Sequence, residues 1–576
     1  MKNYKLKIGA LLSSAIMMVA VSCSDDFLEV SPTGQLAEAQ LTTLAGLDAA
    51  LIAAYSQVNG RNFRMASPSN WVWGSIRGGD ANKGTDPGDF NTINPIQRFE
   101  TDATNVNLLE NWRGLYEGVA RSNNVLRLLL NKADDVSASD EASLAGQARF
   151  LRGHYYFQLK RNFNNVPYVD ETVDYGTGLE DVVNNVDIWP MIEADFKFAA
   201  ENLANTQSQV GRVNSWAAKA YLAKVYLYQG KYSDAKTLFD DVINNGVTSG
   251  GEKYGLLDDY GYIFRGEYDN SKETVWAYQA AANTGSVNNA NPEFDLNNPY
   301  NSAAPGVCCG FFAPSFTFVN SFRTDANGLP LLDGSYNSAS NLVKNDMGIA
   351  TSDPFTIDQK PIDPRVDHSV GRRGIPYLDW QDHPGQSWIR QQSFSGPYSV
   401  KKFVYSRDEV GSFQDNSSWT PGYTGINFNI IRFADVLLMA AEAEIEAGSL
   451  EKAREYVNMV RTRAMNSKVM KLDGSGPAAN YSVGLYTSPW TDKAAATKAV
   501  RFERKLELGM EGHRFYDLIR WGTASEELNA YLTFDGSILL NALGGASYTD
   551  KHQILPIPQN QIDLLGSDIL IQNPGF

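Results

Sequence analysis

Ser215 to Asn245 reads SWAAKAYLAKVYLYQGKYSDAKTLFDDVINN. Apolar residues recur three and four apart on both sides of Gln229-Gly230-Lys231, the spacing of two amphipathic helices separated by a glycine turn. Small residues stand where such helices must approach closely. Ala223, Tyr226, Ala235, Phe239 and Val242 fall at the spacings of a tetratricopeptide repeat. The same pattern recurs in Ile431 to Arg463, IRFADVLLMAAEAEIEAGSLEKAREYVNMVRTR, with Ala441, Ala453, Val457 and Val460 and again a glycine at the turn. Neither pair can bury both of its faces alone, so both are expected to stack with further helices into a curved bundle.

Those further helices are legible on either side. Leu44 to Val58, Asn107 to Leu130, Glu141 to Arg161 and Asp187 to Leu203 carry apolar stripes at helical spacing with polar faces between them. From about 246 to 429 the texture changes to Gly, Pro, Asn and aromatics with short apolar runs such as Thr274 to Gln279, TVWAYQ. The expected fold class is therefore mainly α, a tetratricopeptide-like helical scaffold with a large irregular insertion of loops and short strands. Residues 36–245 form its N-terminal helical part, 246–429 the insertion and 430–576 the C-terminal helical part. Loops held on a rigid scaffold are where binding concentrates, which makes the insertion a ligand-binding candidate.

The first 35 residues read differently. Lys2, Lys5 and Lys7 precede an apolar run from Ile8 to Val21, too short to span a bilayer but suited to a secretory signal over 1–22. Ala20-Val21-Ser22 directly before Cys23 resembles a lipobox, although Ala20 stands where leucine is usual. Cys23 is the expected lipidation site, with 23–35 a polar tether; a secreted protein whose Cys23 pairs with another thiol is the other reading. Cys308 and Cys309 are the remaining cysteines and are adjacent. They either close a vicinal disulfide, the outcome expected in an oxidising compartment, or stay as thiols.

Composition narrows the partners. Fifty Lys and Arg against 66 Asp and Glu leave a net charge of −16, which opposes nucleic-acid binding and docking by charge on anionic lipid. Among 576 residues, 28 Tyr, 27 Phe and 11 Trp indicate a folded, aromatic-rich body that needs no disulfide framework.

Gly146 to Asp170 (GQARFLRGHYYFQLKRNFNNVPYVD), Val500 to Gly522 (VRFERKLELGMEGHRFYDLIRWG) and Ile554 to Phe576 (ILPIPQNQIDLLGSDILIQNPGF) resemble the SusD/RagB family of Bacteroidetes outer-membrane nutrient-uptake lipoproteins. The resemblance runs nearly the whole chain, to the final Asn573-Pro574-Gly575-Phe576. It implies a cell-surface, lipid-anchored glycan-binding protein, without catalytic activity or cofactor, that delivers oligosaccharides to a SusC-like TonB-dependent transporter. Asp25-Asp26 after the cysteine resembles the signal that routes such lipoproteins to the cell exterior. The alternatives within the family are a peptide binder and a structural lid or scaffold with no ligand of its own.

Independent of the resemblance, enzyme readings lack parts. Histidine occurs at 154, 368, 383, 513 and 552, with no HExxH, no metal-ligand spacing and no GxSxG. Asp379 and Asp382 beside Trp380 offer only the carboxylate pair of a glycosidase, a weak signal in a loop. Glu503, Glu507 and Glu511 share one helical face, with Arg504, Arg514, Asp517 and Arg520 nearby. Leu508, Met510, Gly512, Phe515 and Leu518 between them mark a packed junction, so structural ion pairs are expected there rather than a site.

A glycan site needs flat aromatics flanked by amides, carboxylates and guanidinium groups. Two regions qualify. The loop Arg77 to Phe99 offers Asp80, Asn82, Lys83, Phe90, Arg98 and Phe99, and the resemblance places family ligand contacts in this part of the chain. The insertion offers Tyr300, Phe311, Phe312, Trp380, Trp388 and Trp419. Packing under a long loop competes with ligand contact for each of them.

Overall fold

The computed structural model describes residues 38–291, 294–417 and 419–576. Cys23, Asp25, Asp26 and the tether lie outside the described residues.

The first four long helices, α1 (Leu44–Tyr55), α2 (Val106–Leu130), α3 (Ala138–Phe163) and α4 (Trp189–Asn202), follow the apolar stripes. The quoted stretch folds as α5 (Ser215–Tyr228) and α6 (Tyr232–Asn245). The Asn214 side chain caps α5 by accepting from the Ala217 N–H, and Gly230 turns the chain at φ +70°. Ala223, Ala235, Phe239 and Val242 are fully buried at the α5–α6 seam. The second pair is α7 (Phe433–Ala447) and α8 (Leu450–Asn466), followed by α9 (Lys493–Leu508), α10 (Arg514–Trp521) and α11 (Ala524–Ile538).

The two helix pairs stack directly on each other, α6 against α7, although the whole insertion separates them in sequence. A two-stranded antiparallel sheet at the neck of the insertion makes this possible. Its strands are Thr274–Tyr278 and Phe428–Arg432, with Thr274 opposite Arg432 and Tyr278 opposite Phe428. Ile431 and Arg432, expected to open the second repeat, belong to this strand because their backbone pairs with the entering chain. Within the neck, 3-10 turns, short strands and loops predominate.

A second sheet joins the two candidate binding regions. Ala81–Gly84 runs antiparallel to Phe311–Pro314, with Asn82 opposite Ala313 and Gly84 opposite Phe311. Gly84 has φ +80°, and a Cβ there would lie 2.3 Å from the Gly310 carbonyl oxygen. Only glycine permits this approach.

Ion pairs hold the scaffold to the insertion, and the acids expected from their helical spacing are all buried within them. Glu507 receives Arg365 at 2.9 Å together with Arg432 and Arg463. Glu503 receives Arg365 at 2.8 Å and Arg461 at 2.7 Å, and Glu511 receives Arg432 and Lys402, each at 2.8 Å. Arg504 pairs with Asp435 and Asp517, Arg520 with Glu442 and Asp517, and Arg514 with Glu527. Burial alone would raise the Glu507 carboxyl, but Arg463, Arg432 and Arg365 together hold it well below the usual carboxylate range. Gly512 lies at the expected junction: a Cβ on it would be 2.0 Å from the Ser69 carbonyl oxygen.

Candidate functional site

The Gly306–Gly310 segment, carrying Cys308 and Cys309, is fixed on several sides. The two cysteines form a vicinal disulfide across a cis peptide bond. The Gly306 N–H donates to the Tyr405 hydroxyl at 3.0 Å, and the Gly306 carbonyl accepts from the Thr420 hydroxyl at 3.0 Å. Further along, the Cys309 and Gly310 N–H groups donate to the Leu296 and Asn298 carbonyls.

Aromatic rings reach solvent around this segment. Trp419, next to Thr420, is 67% exposed, Phe90 44% and Tyr300 38%. Phe90 stands edge-on to Phe311 with ring centres 5.7 Å apart, and the Arg64 guanidinium lies 5.7 Å from its centre. The Arg390 guanidinium lies 5.2 Å from the centre of the Tyr300 ring and pairs with Asp86 at 2.8 Å and Asp89 at 2.6 Å. Trp380 is half-buried, its indole N–H donating to the Tyr405 carbonyl and Arg407 lying over its face. The face thus combines flat apolar rings with guanidinium and carboxylate groups at its edge. That combination matches the C–H face and hydroxyl rim of a sugar ring.

Most of the other expected contact residues are inside the protein, and the structure corrects their assignment. Phe311 and Phe312 are buried, both edge-on to Trp71. Trp388 is 2% exposed and packs edge-on to Tyr377 and His383. Phe99 is buried between Phe515 and Tyr548, and Arg98 clamps the Ala542 and Gly544 carbonyls. Asn82 bridges the Ser395 carbonyl and the Gly84 N–H. Lys83 donates to the Asp86 and Asp89 carbonyls, which rigidifies the loop below Arg390, and burial lowers its pKa to about 8. These side chains hold the loop from beneath through contacts within the protein.

Asp80 is the most consequential of them. It is fully buried, accepts from the Met510 N–H at 3.0 Å, and has its pKa raised by burial to about 6. A carboxyl whose folded pKa is raised contributes stability below its ordinary value of 3.8, and that contribution is lost as pH rises through about 6. Asp80→Asn keeps an acceptor for Met510 and removes the titration. Its melting temperature relative to wild type should rise between pH 4 and pH 7.5, approaching an advantage of ~3 kcal/mol from two pKa units at about 1.4 kcal/mol each. A difference independent of pH would show that Asp80 is not held in the way described.

The carboxylates weighed for glycosidase chemistry are separated by their contacts. Asp379 accepts from the Arg407 and Asp408 N–H groups, whereas Asp382 is exposed in a short hairpin. Burial lowers all five histidines, those at 154, 383 and 513 to about 3. Among the described residues no group of His, Cys, Asp and Glu is placed to hold a metal ion.

A family model described as the SusD family matches residues 272–576, which include the neck, most of the insertion and every helix from α7 onward. The chain belongs to the SusD family. A second model, described as starch-binding and associating with outer membrane, matches residues 26–227 of this SusD-family chain. The chain is 25% identical to the SusD-like protein P2 of Formosa agariphila, over the full length of both. Two solved structures share the fold. One is a laminarin-binding SusD-like protein, 23% identical with a TM-score of 0.63, covering 92% of this chain and 99% of that one. The other is surface glycan-binding protein A from Bacteroides thetaiotaomicron with laminarihexaose, 20% identical with a TM-score of 0.62, covering 92% and 100%.

Arg390, Arg64, Asp86 and Asp89, which stand beside the exposed rings, are not among the residues expected from the sequence. The two acids lie inside the Arg77–Phe99 loop and Arg390 two residues after Trp388, but only the β-pairing of Ala81–Gly84 with Phe311–Pro314 brings the loop to the insertion.

Proposed function

We propose that this SusD-family protein is a cell-surface, lipid-anchored glycan receptor of the outer membrane that holds oligosaccharides on the Phe90–Tyr300–Trp419 face and delivers them to a SusC-like TonB-dependent transporter. The exposure of those three rings around the Cys308–Cys309 segment carries this reading. The laminarin binding named for one structural relative and the laminarihexaose complex of another support it. The lipid anchor is Cys23, and no helix among the described residues is long and apolar enough to cross a membrane.

Stacking on a few aromatics dominates such binding, as hot spots do at other interfaces. In calorimetric titration with laminarin and xyloglucan oligosaccharides, Trp419→Ala and Tyr300→Ala should each weaken binding by about 1–3 kcal/mol. Their melting temperatures should match wild type, because neither ring is buried. Unchanged affinity in both variants would place the platform elsewhere, and selective binding of peptides would favour the peptide-binding alternative.

A further inference from the structure

Away from this face, a cavity of about 370 Å³ opens between α9, the α10–α11 corner and the 332–337 loop of the insertion. That volume falls within the ~300–1,000 Å³ of small-molecule sites. Its charge is unusual for a chain of net −16. Four cations line it, Lys498, Arg501, Lys505 and Arg514, against the acids Asp333, Glu526 and Glu527.

The pairing is uneven. Arg514 pairs with Glu527 at 2.8 Å, and the charges of Lys505 and Arg501 reach the same carboxylate without an ion-pair contact. Lys498 and Arg501 have no ion-pair partner among the described residues, the Arg501 guanidinium lying 5.0 Å from the centre of the Trp521 ring, and Asp333 is engaged by Ser335. Lys505 is 6% exposed; its ammonium lies 4.9 Å from the centre of the Tyr336 ring and 5.7 Å from that of Phe502, makes a long contact of 3.4 Å to the Tyr336 hydroxyl, and has no ion pair among the described residues. Asp80 and Asp535, on the inner side of Lys505, feel its charge but are held by the Met510, Phe316 and Thr317 N–H groups, and neither is an ion-pair partner. A buried ammonium without a carboxylate is costly unless a ligand supplies one.

Two further features border the same space. The Thr523 hydroxyl oxygen is buried with no hydrogen-bond partner among the described residues, and it lines the cavity. The rings of Tyr336, Phe502 and Tyr531 form the apolar part of the wall. An anion flanked by a flat ring face fits this set of groups: the carboxylate meets Lys505 and Arg501, a hydroxyl meets Thr523, and C–H bonds meet the aromatics.

We propose that this cavity is a second binding site, taking a carboxylate-bearing sugar, a uronate residue of an acidic oligosaccharide. The choice of a sugar rests on the glycan-receptor reading; the requirement for an anion rests on the cavity alone. None of the lining residues belongs to the Phe90–Tyr300–Trp419 face.

The test is calorimetric titration of the lipid-free secreted protein with trimers of glucuronate, galacturonate and mannuronate and their neutral hexose counterparts. At least one uronate trimer should bind, in preference to its neutral counterpart and more weakly in about 0.5 M salt. Arg501→Ala and Lys505→Gln should each lower that affinity roughly tenfold or more, as expected for a lost charge-assisted hydrogen bond. Arg501 is only partly buried, so its variant remains informative should Lys505→Gln fold poorly. Trp419→Ala should bind the uronate trimer like wild type. The proposal is overturned if no uronate trimer binds, if both cation variants bind like wild type, or if Trp419→Ala loses the acidic ligand equally. Equal affinity for inorganic sulfate, or binding of triglutamate without any uronate, would overturn the sugar assignment. Loss of neutral-glycan binding to the wild type would sink the receptor reading while uronate binding still stood.

Discussion

Replacing Glu507 by alanine should destabilise the protein by about 3–5 kcal/mol, the range found when one partner of a buried ion pair is removed. The carboxylate is fully buried and is shared by Arg365 of the insertion, Arg432 of the neck strand and Arg463 of α8. Arg432 and Arg463 retain Glu273, and Arg365 retains Asp363 and Glu503, so the network is weakened at its centre and not abolished. Urea unfolding should show a lower midpoint with an unchanged slope. Glycan affinity of the fraction that remains folded should equal that of wild type, because the network lies away from the exposed rings. A stable Glu507→Ala protein that no longer binds would instead make the cluster a site. The same carboxylate, held well below its ordinary pKa, contributes stability above pH 4.5 that is lost as pH falls through its folded value.

Trp388→Ala should cost stability on a comparable scale, about 3–5 kcal/mol, as for other buried large aromatics. Trp388 belongs to a satellite cluster with Ala304, Tyr377 and Val404, separate from the main core. Its indole packs edge-on to Tyr377 at 5.4 Å and His383 at 5.3 Å, and its carbonyl accepts from the Tyr300 N–H at 2.9 Å. The loss should therefore be felt first in the insertion, as faster amide exchange at Tyr300 and across 376–388, and be accompanied by weaker binding because Tyr300 loses its support. An unchanged melt with lost binding would restore Trp388 as a ligand contact.

The helical scaffold was readable because each helix buries a stripe, and a stripe has a period. Ala223 and Phe239 are at repeat spacing because the α5–α6 seam demands it, and no distant residue needs to be known. The insertion has no such period. Phe312 and Trp419 are both aromatics of the insertion near Gly or Pro, yet one is buried in a strand beside Trp71 and the other is exposed to water. That distinction is made by tertiary contacts that composition does not encode. The acids of α9 show both sides of this limit: Glu503 and Glu507 sit on one face by spacing, whereas their partners Arg365, Arg432, Arg461 and Arg463 come from three separate parts of the chain. Asp80 and Lys83 looked like ligand groups because they are charged residues in a glycine-rich loop. Their partners, the Met510 N–H and the Asp86 and Asp89 carbonyls, instead make them loop supports.

The glycan-receptor reading is tested most directly by a crystal structure of the protein with a bound laminarin or xyloglucan oligosaccharide, whichever binds in titration. Sugar rings should stack on Trp419 and Tyr300, with Arg390, Asp86 or Asp89 hydrogen-bonded to hydroxyls and the Cys308–Cys309 segment forming the floor between them. An oligosaccharide seated elsewhere, with Phe90, Tyr300 and Trp419 all bare, would contradict it.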